Sequence, residues 1–77
     1  MGILSSRYFR PESRWWTLSS REQQVAQFIT DGRSNKYTAY ELGISRRTVE
    51  SHRSNIYRKY NVRSAQQLFV TLLGELA

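Results

Sequence analysis

Apolar residues recur along this chain at helical spacing, and no stretch alternates with period two. Val25, Phe28 and Ile29 share one helical face, and "SSRE" ahead of them carries a start signal. Ser19 stands three residues before Glu22, so the hydroxyl can accept from the third helical N–H while the carboxylate reaches back to the cap N–H. Gly32 is the expected stop, because glycine enters the left-handed conformation cheaply. Ser34 is placed to cap a short second helix, with Thr38, Ala39 and Leu42 inward and Lys36, Tyr37, Tyr40 and Glu41 outward. Gly43 ends it. Ile44 is an apolar hook in the turn, and Ser45 opens a third helix over 45–60 with a stripe of Val49, His52 or Arg53, Ile56 and Tyr60. Asn61 can take the left-handed position past its end, with Val62 folding back. Ser64 and Gln67 repeat the capping-box spacing and open a fourth helix over 64–76, carrying Leu68, Phe69, Val70, Leu72, Leu73 and Leu76. The expected class is all-α with four helices.

Residues 1–16 have no clean period, and the polar "PES" at Pro11 predicts an extended lead-in or linker before a domain over 17–77. Trp15 and Trp16 have two readings: they cover an edge of the core, or they dock a further domain or subunit. "MGILSS" formally fits the myristoylation pattern at Gly2 and Ser6, but the motif is short, and the plainer reading is the common start methionine before a small residue.

The second and third helices carry the parts of a helix-turn-helix. Two steeply crossing helices need a small residue where they touch, a turn that tolerates positive φ, and aliphatic side chains meeting beneath it. Ala39, Gly43, and the set Leu42, Ile44 and Val49 supply them. A generic small helical bundle with a glycine-containing turn is the plainer reading of the same features.

Size and charge narrow the chemistry. With 77 residues the chain forms one thin core. Deep catalytic pockets are not expected. The formal net charge is +6, from ten arginines and two lysines against six acids, which favours an anionic partner. The excess of arginine over lysine suits planar, bidentate contacts to phosphates and base edges. There is no cysteine, so disulfides and thiolate metal sites are excluded, and a reducing, cytoplasmic setting is expected. No apolar run approaches eighteen residues, and no membrane partner is expected.

The charge concentrates in "GISRRTVESHRSNIYRKY" at 43–60, with Arg46, Arg47, Arg53, Arg58, Lys59 and the only histidine. Once the buried stripe is set aside, Arg46, Arg47, Glu50, Ser51 and Ser54 point outward near the helix start, where a recognition helix meets base edges in the major groove. Arg47 can fork onto guanine, Glu50 can accept from the cytosine amino group, and Ser51 and Ser54 can pair with several bases. Arg53, Arg58 and Lys59 lie where phosphates run, and phosphate contacts set register without reading sequence. If six phosphates are neutralised, log K falls with log salt at a slope near −5. A solvated helix would pair its charges at i, i+4, but here Glu50 faces five bases. A membrane-surface helix needs a broad apolar face, and this stripe is narrow and claimed by the core.

Residues 18–36, "LSSREQQVAQFITDGRSNK", and 43–64, "GISRRTVESHRSNIYRKYNVRS", resemble the LuxR-type helix-turn-helix domain, also called the GerE or NarL type. Leu18, Ser19, Arg21 and Glu22 match its opening; Gly32, Ser34, Asn35 and Lys36 match its middle. Ile44, Ser45, Thr48, Val49, His52, Asn55, Ile56 and Lys59 match its third helix. Three positions depart: Thr38 for a usual isoleucine, Tyr60 for a usual leucine, and Asn61 where glycine is frequent. The resemblance implies a domain of bacterial transcription regulators bound to double-stranded DNA, often dimeric through the fourth helix. It implies Glu50, Ser51 and Ser54 as base readers, and Asn35, Lys36, Arg46, Thr48, Arg53 and Lys59 as backbone contacts; Ser34 and Arg58 complete the expected set.

The fourth helix supports a homodimer on its own account. Leu68, Leu72 and Leu76 form one apolar face while Val70 and Leu73 begin another, and a helix apolar on two sides needs two partners. Val70, Leu73 and Leu76 are the expected interface; the alternative is that this face packs on Trp15 and Trp16. No enzyme activity is expected: His52 has no relay partner, no glycine-rich phosphate loop is present, and no carboxylate pair is placed for acid–base work. No cofactor or metal is expected. A competing function is a protein-interaction module that docks on RNA polymerase, as the similar fourth region of sigma factors does. Trp15, Trp16, Tyr37 and Tyr40 motivate it. Whether the chain is a whole small regulator or the output part of a longer one stays open.

Overall fold

A computed structural model describes residues 8–76; the myristoylation pattern at Gly2 and Ser6 lies outside them. Among the described residues the fold is all-helical. A 3₁₀ turn at Arg14–Thr17 precedes α1 (Ser20–Thr30), α2 (Asn35–Leu42), α3 (Arg46–Tyr60) and α4 (Ala65–Gly74). Ser19, Ser34, Ser45 and Ser64 each cap their helix by accepting from the third helical N–H, of Glu22, Tyr37, Thr48 and Gln67 respectively. Each cap stabilises its helix by about 1 kcal/mol. The capping box of α1 is complete, with the Ser19 N–H donating to Glu22 Oε1 at 2.9 Å. At α4 the box is displaced by one residue: Gln67 Oε1 accepts from the Arg63 N–H at 2.8 Å, not from Ser64.

Three helix ends share one geometry. Gly32, Gly43 and Asn61 have φ of 77°, 66° and 53°. The following amide of each, in Arg33, Ile44 and Val62, donates at 3.0 Å to the carbonyl five residues back, in Phe28, Ala39 and Tyr57. Such bonds satisfy carbonyls the helix leaves orphaned. Between α2 and α3 the demand on Gly43 is conformational only, since a Cβ built there meets nothing within 4 Å. Gly43→Ala is therefore expected to cost about 1–2 kcal/mol from left-handed strain alone. Gly43→Asn costs less, asparagine already holding this conformation at position 61. Denaturant midpoints decide it: a Gly43→Ala domain as stable as its parent would exclude a strained turn.

The core is built round α3, which touches α1, α2, α4 and the 3₁₀ turn. Val25, Ala26 and Ile29 of α1, Ala39 of α2, Val49, Ile56 and Tyr60 of α3, and Leu68 and Leu72 of α4 are buried. Thr38 is buried although polar, its hydroxyl donating to the Ser34 carbonyl at 2.8 Å.

The N-terminal segment differs from the extended lead-in that the sequence predicts. From Phe9 onward it is part of the folded unit. Phe9 is buried and stacks on Trp15 with centroids 4.4 Å apart and planes 8° from parallel. Trp15 is fully buried, whereas Trp16 is half exposed and donates its indole N–H to the Arg10 carbonyl at 2.9 Å. The apolar density of this segment, not its period, is what folds it.

The end of α4 differs too. The helix stops at Gly74, short of the predicted 76. Leu76 leaves the helix, pairs with Phe9 in an isolated antiparallel bridge and packs against the core. It therefore does not continue the face of Val70 and Leu73, which stay exposed at 62% and 41%. Trp15 and Trp16 do not cover that face; the segment that bears them closes the core at Leu76 and Glu75.

Candidate nucleic-acid interface

α3 presents one face to the core through Val49, Ile56 and Tyr60. The opposite face follows from 3.6 residues per turn: Arg47, Glu50, Ser51 and Ser54 stand at i, i+3, i+4 and i+7. All four are exposed, and with Asn55 they line one open depression. Among the described residues none of the four has a side-chain hydrogen bond or ion pair. A guanidinium, a carboxylate and two hydroxyls therefore offer donors and acceptors on one surface. Asn55 is a member that the sequence reading missed. Its signal was present, since it lies four residues after Ser51.

The expected backbone-contact residues divide into three groups. Lys36, Arg46 and Arg58 are exposed, and their charges have no acidic partner among the described residues. Ser34 and Thr48 are exposed at helix starts, where Ser34 caps α2 and Thr48 meets the Ser45 cap, Oγ to Oγ1 at 2.8 Å. Asn35 and Arg53 join each other across the two helices, the guanidinium donating to Asn35 Oδ1 at 3.2 Å and lying over the Tyr57 ring at 5.4 Å. This fixes α2 against α3.

Lys59 forms no part of the open face. Its ammonium donates to Glu22 Oε1 at 2.8 Å and to the Thr17 carbonyl at 3.0 Å. It thereby ties α3 to the start of α1. The sequence reading did not foresee this buried carboxylate, which closes the capping box and the ion pair at once.

Burial pushes the Glu22 carboxyl upward, but the Lys59 ammonium, the Ser19 N–H and the charge of His52 outweigh it and hold the group below its ordinary 4.5. A carboxyl lowered by folding stabilises the fold above its unfolded value and loses that contribution as pH falls through the folded one. The melting temperature should therefore hold at neutral pH and fall below about pH 4.5. In Glu22→Gln the acid limb should flatten while neutral stability drops; an unchanged acid limb would exclude Glu22 as a source. His52 is half-buried on the inner flank of α3. Among the described residues no cluster of His, Cys, Asp or Glu could hold a metal, and no helix is long and apolar enough to cross a membrane.

Comparison with known proteins places the chain in a family. The family model for bacterial regulatory proteins of the luxR family matches residues 16–72. The chain is 43% identical over 70 residues to the response regulatory protein YgeK of Escherichia coli, covering 91% of this chain and 45% of that protein. It is 56% identical over 52 residues to the response regulator protein TodT of Pseudomonas putida, covering 68% and 23%. It is 46% identical over 56 residues to the transcriptional regulatory protein FixJ of Rhizobium meliloti, covering 73% and 28%. The chain thus spans less than half the length of these relatives. With its α2–Gly43–α3 unit and the match across most of its length, the chain belongs to the luxR family of bacterial regulatory proteins, as a helix-turn-helix DNA-binding domain.

Proposed function

We propose that this domain reads double-stranded DNA sequence by placing α3 in the major groove, as the output of a transcription regulator. The supporting observation is the exposed, unpaired set Arg47, Glu50, Ser51 and Ser54 on one face of α3. In this reading these four meet base edges, and Ser34, Asn35, Lys36, Arg46, Thr48, Arg53 and Arg58 flank them against the phosphates. Exposed Val70 and Leu73 supply the contact of a homodimer on two half-sites.

Selection of bound sequences from a random duplex library tests this, and the spacing of enriched half-sites reports the dimer. Glu50→Ala should relax preference at one base pair, worth about 1–3 kcal/mol of discrimination. Lys36→Ala should weaken all sites alike and make the salt slope shallower by about 0.9 per domain. A pool with no enriched motif would overturn sequence reading.

One observation favours a second surface. On α2, Tyr40 is 82% exposed and Tyr37 is 40% exposed. Exposed aromatics are typical anchors of protein contacts. Capture of RNA polymerase that survives nuclease treatment and is lost in Tyr40→Ala would establish it.

A further inference from the structure

One carboxylate gathers three elements at the end of the fold opposite the start of α3. Glu75, just past α4, is only 15% exposed at its side chain. Its Oε1 accepts from Ser13 Oγ at 2.7 Å and from the Tyr60 hydroxyl at 3.0 Å, and its Oε2 accepts from Arg14 Nε at 3.0 Å. Its own carbonyl accepts from the Arg10 amide at 3.2 Å, and the Arg10 guanidinium donates to the Gly74 carbonyl. Arg14 then returns to α3. Its Nη1 donates to the Tyr60 carbonyl at 3.3 Å, and its guanidinium lies 4.7 Å from the centre of the Tyr60 ring.

We propose that Glu75 is a positioning residue for DNA reading: through Tyr60 it clasps the last turn of α3 to residues 10–14 and so sets how the recognition helix sits. The proposal rests on the DNA-reading function above. Tyr60 is buried, and its hydroxyl donates to the carboxylate, with the Ser13 hydroxyl beside both. Its carbonyl belongs to the last turn, where a helix leaves four carbonyls without internal partners, and Arg14 satisfies it. Both ends of one residue are thus held from outside the helix. Most of the clasp lies beyond the family pattern. Arg10, Ser13, Arg14 and Glu75 all fall outside the matched range of 16–72. Burial pushes Glu75 up, but the bonds from Ser13, Arg14 and Tyr60 outweigh it and keep the group an anion, able to accept from all three at neutral pH.

The mechanical argument is short. α3 is a single helix of 15 residues, and its reading residues lie in the half far from Tyr60. A helix rising about 1.5 Å per residue carries a tilt at one end into a displacement at the other. Releasing the last turn therefore degrades the fit of Arg47, Glu50, Ser51 and Ser54 to any duplex, without altering which bases they prefer.

The test uses the full chain, with Glu75→Ala and the milder Tyr60→Phe. Site-resolved amide hydrogen exchange, circular dichroism and titration of duplexes from the library selection are the readouts. Glu75→Ala should speed exchange of the amides at 58–62 about tenfold, leaving those of Val25 to Ile29 unchanged. It should weaken preferred duplexes more than random ones, with the selected motif and salt slope kept. Tyr60→Phe should do the same to a smaller extent, and the double variant should fall short of the two single effects combined. Unchanged exchange at 58–62, acceleration spread evenly over the domain, or unchanged affinity despite local acceleration would each overturn the proposal. If the unaltered chain binds no duplex, the DNA reading itself fails and the positioning role with it. That outcome is seen before any substitution is made, so the two failures are distinct.

Discussion

Trp15→Ala is expected to destabilise the domain by about 3–5 kcal/mol, the range for removing a large buried aromatic. A 77-residue domain has only about 4–12 kcal/mol in total. Trp15 is among the largest fully buried side chains and stacks face to face on Phe9, so its removal opens a void between the N-terminal segment and the helices. The melting temperature should drop by about 12–40 °C, at about 4–8 °C per kcal/mol for a domain of this size. Trp16→Ala is the internal control. Half-exposed Trp16 makes one hydrogen bond through its ring, to Arg10, and its loss should cost under about 1 kcal/mol. Thermal unfolding followed by far-UV circular dichroism separates the two. Equal losses for both tryptophans would mean that the segment before α1 is not part of the cooperative unit.

Binding to DNA should weaken about ten-thousandfold between 50 and 200 mM salt for a dimer making eight phosphate contacts, a slope near −7. The count comes from the side chains. In the proposed reading Lys36, Arg46, Arg53 and Arg58 face phosphates in each domain and Arg47 meets bases, while Lys59 is paired with Glu22. One domain alone should give about −3.6. Lys59→Ala then has a distinctive signature: it lowers stability by leaving the buried Glu22 carboxylate unpaired, yet the slope is unchanged. A slope shallower by about 0.9 per domain in that variant would mean that Lys59 leaves Glu22 to meet phosphate on binding.

Most of the scaffold is legible in the sequence because local chemistry dictates it. A serine three residues before the amide it accepts from, and a glycine or asparagine where φ must be positive, mark all four helix starts and three of the ends. The exposed face of α3 was legible for the same reason: subtracting Val49, Ile56 and Tyr60 from a 3.6-residue period leaves Arg46, Arg47, Glu50, Ser51 and Ser54 outward, and all five are exposed. What escaped was long-range pairing. No local pattern says that Lys59 meets Glu22, 37 residues away, or that Ser13 meets Glu75 across 62. Such contacts form because a buried carboxylate must find donors, and which donors it finds depends on how the helices already pack. Leu76 was misplaced for a related reason. Helical periodicity continues the leucine repeat past Gly74, but the chain turns there to meet Phe9.

The stack of Phe9 on Trp15 has a bearing on how such a domain can be transplanted. A hybrid regulator joined at the edge of the recognisable family unit would begin at Trp16 and end at Leu72. It would leave behind the aromatic partner, its neighbour in the stack, and the carboxylate that receives Tyr60. For this chain the exchangeable cassette is longer than the shared pattern, and a working fusion junction lies upstream of Phe9.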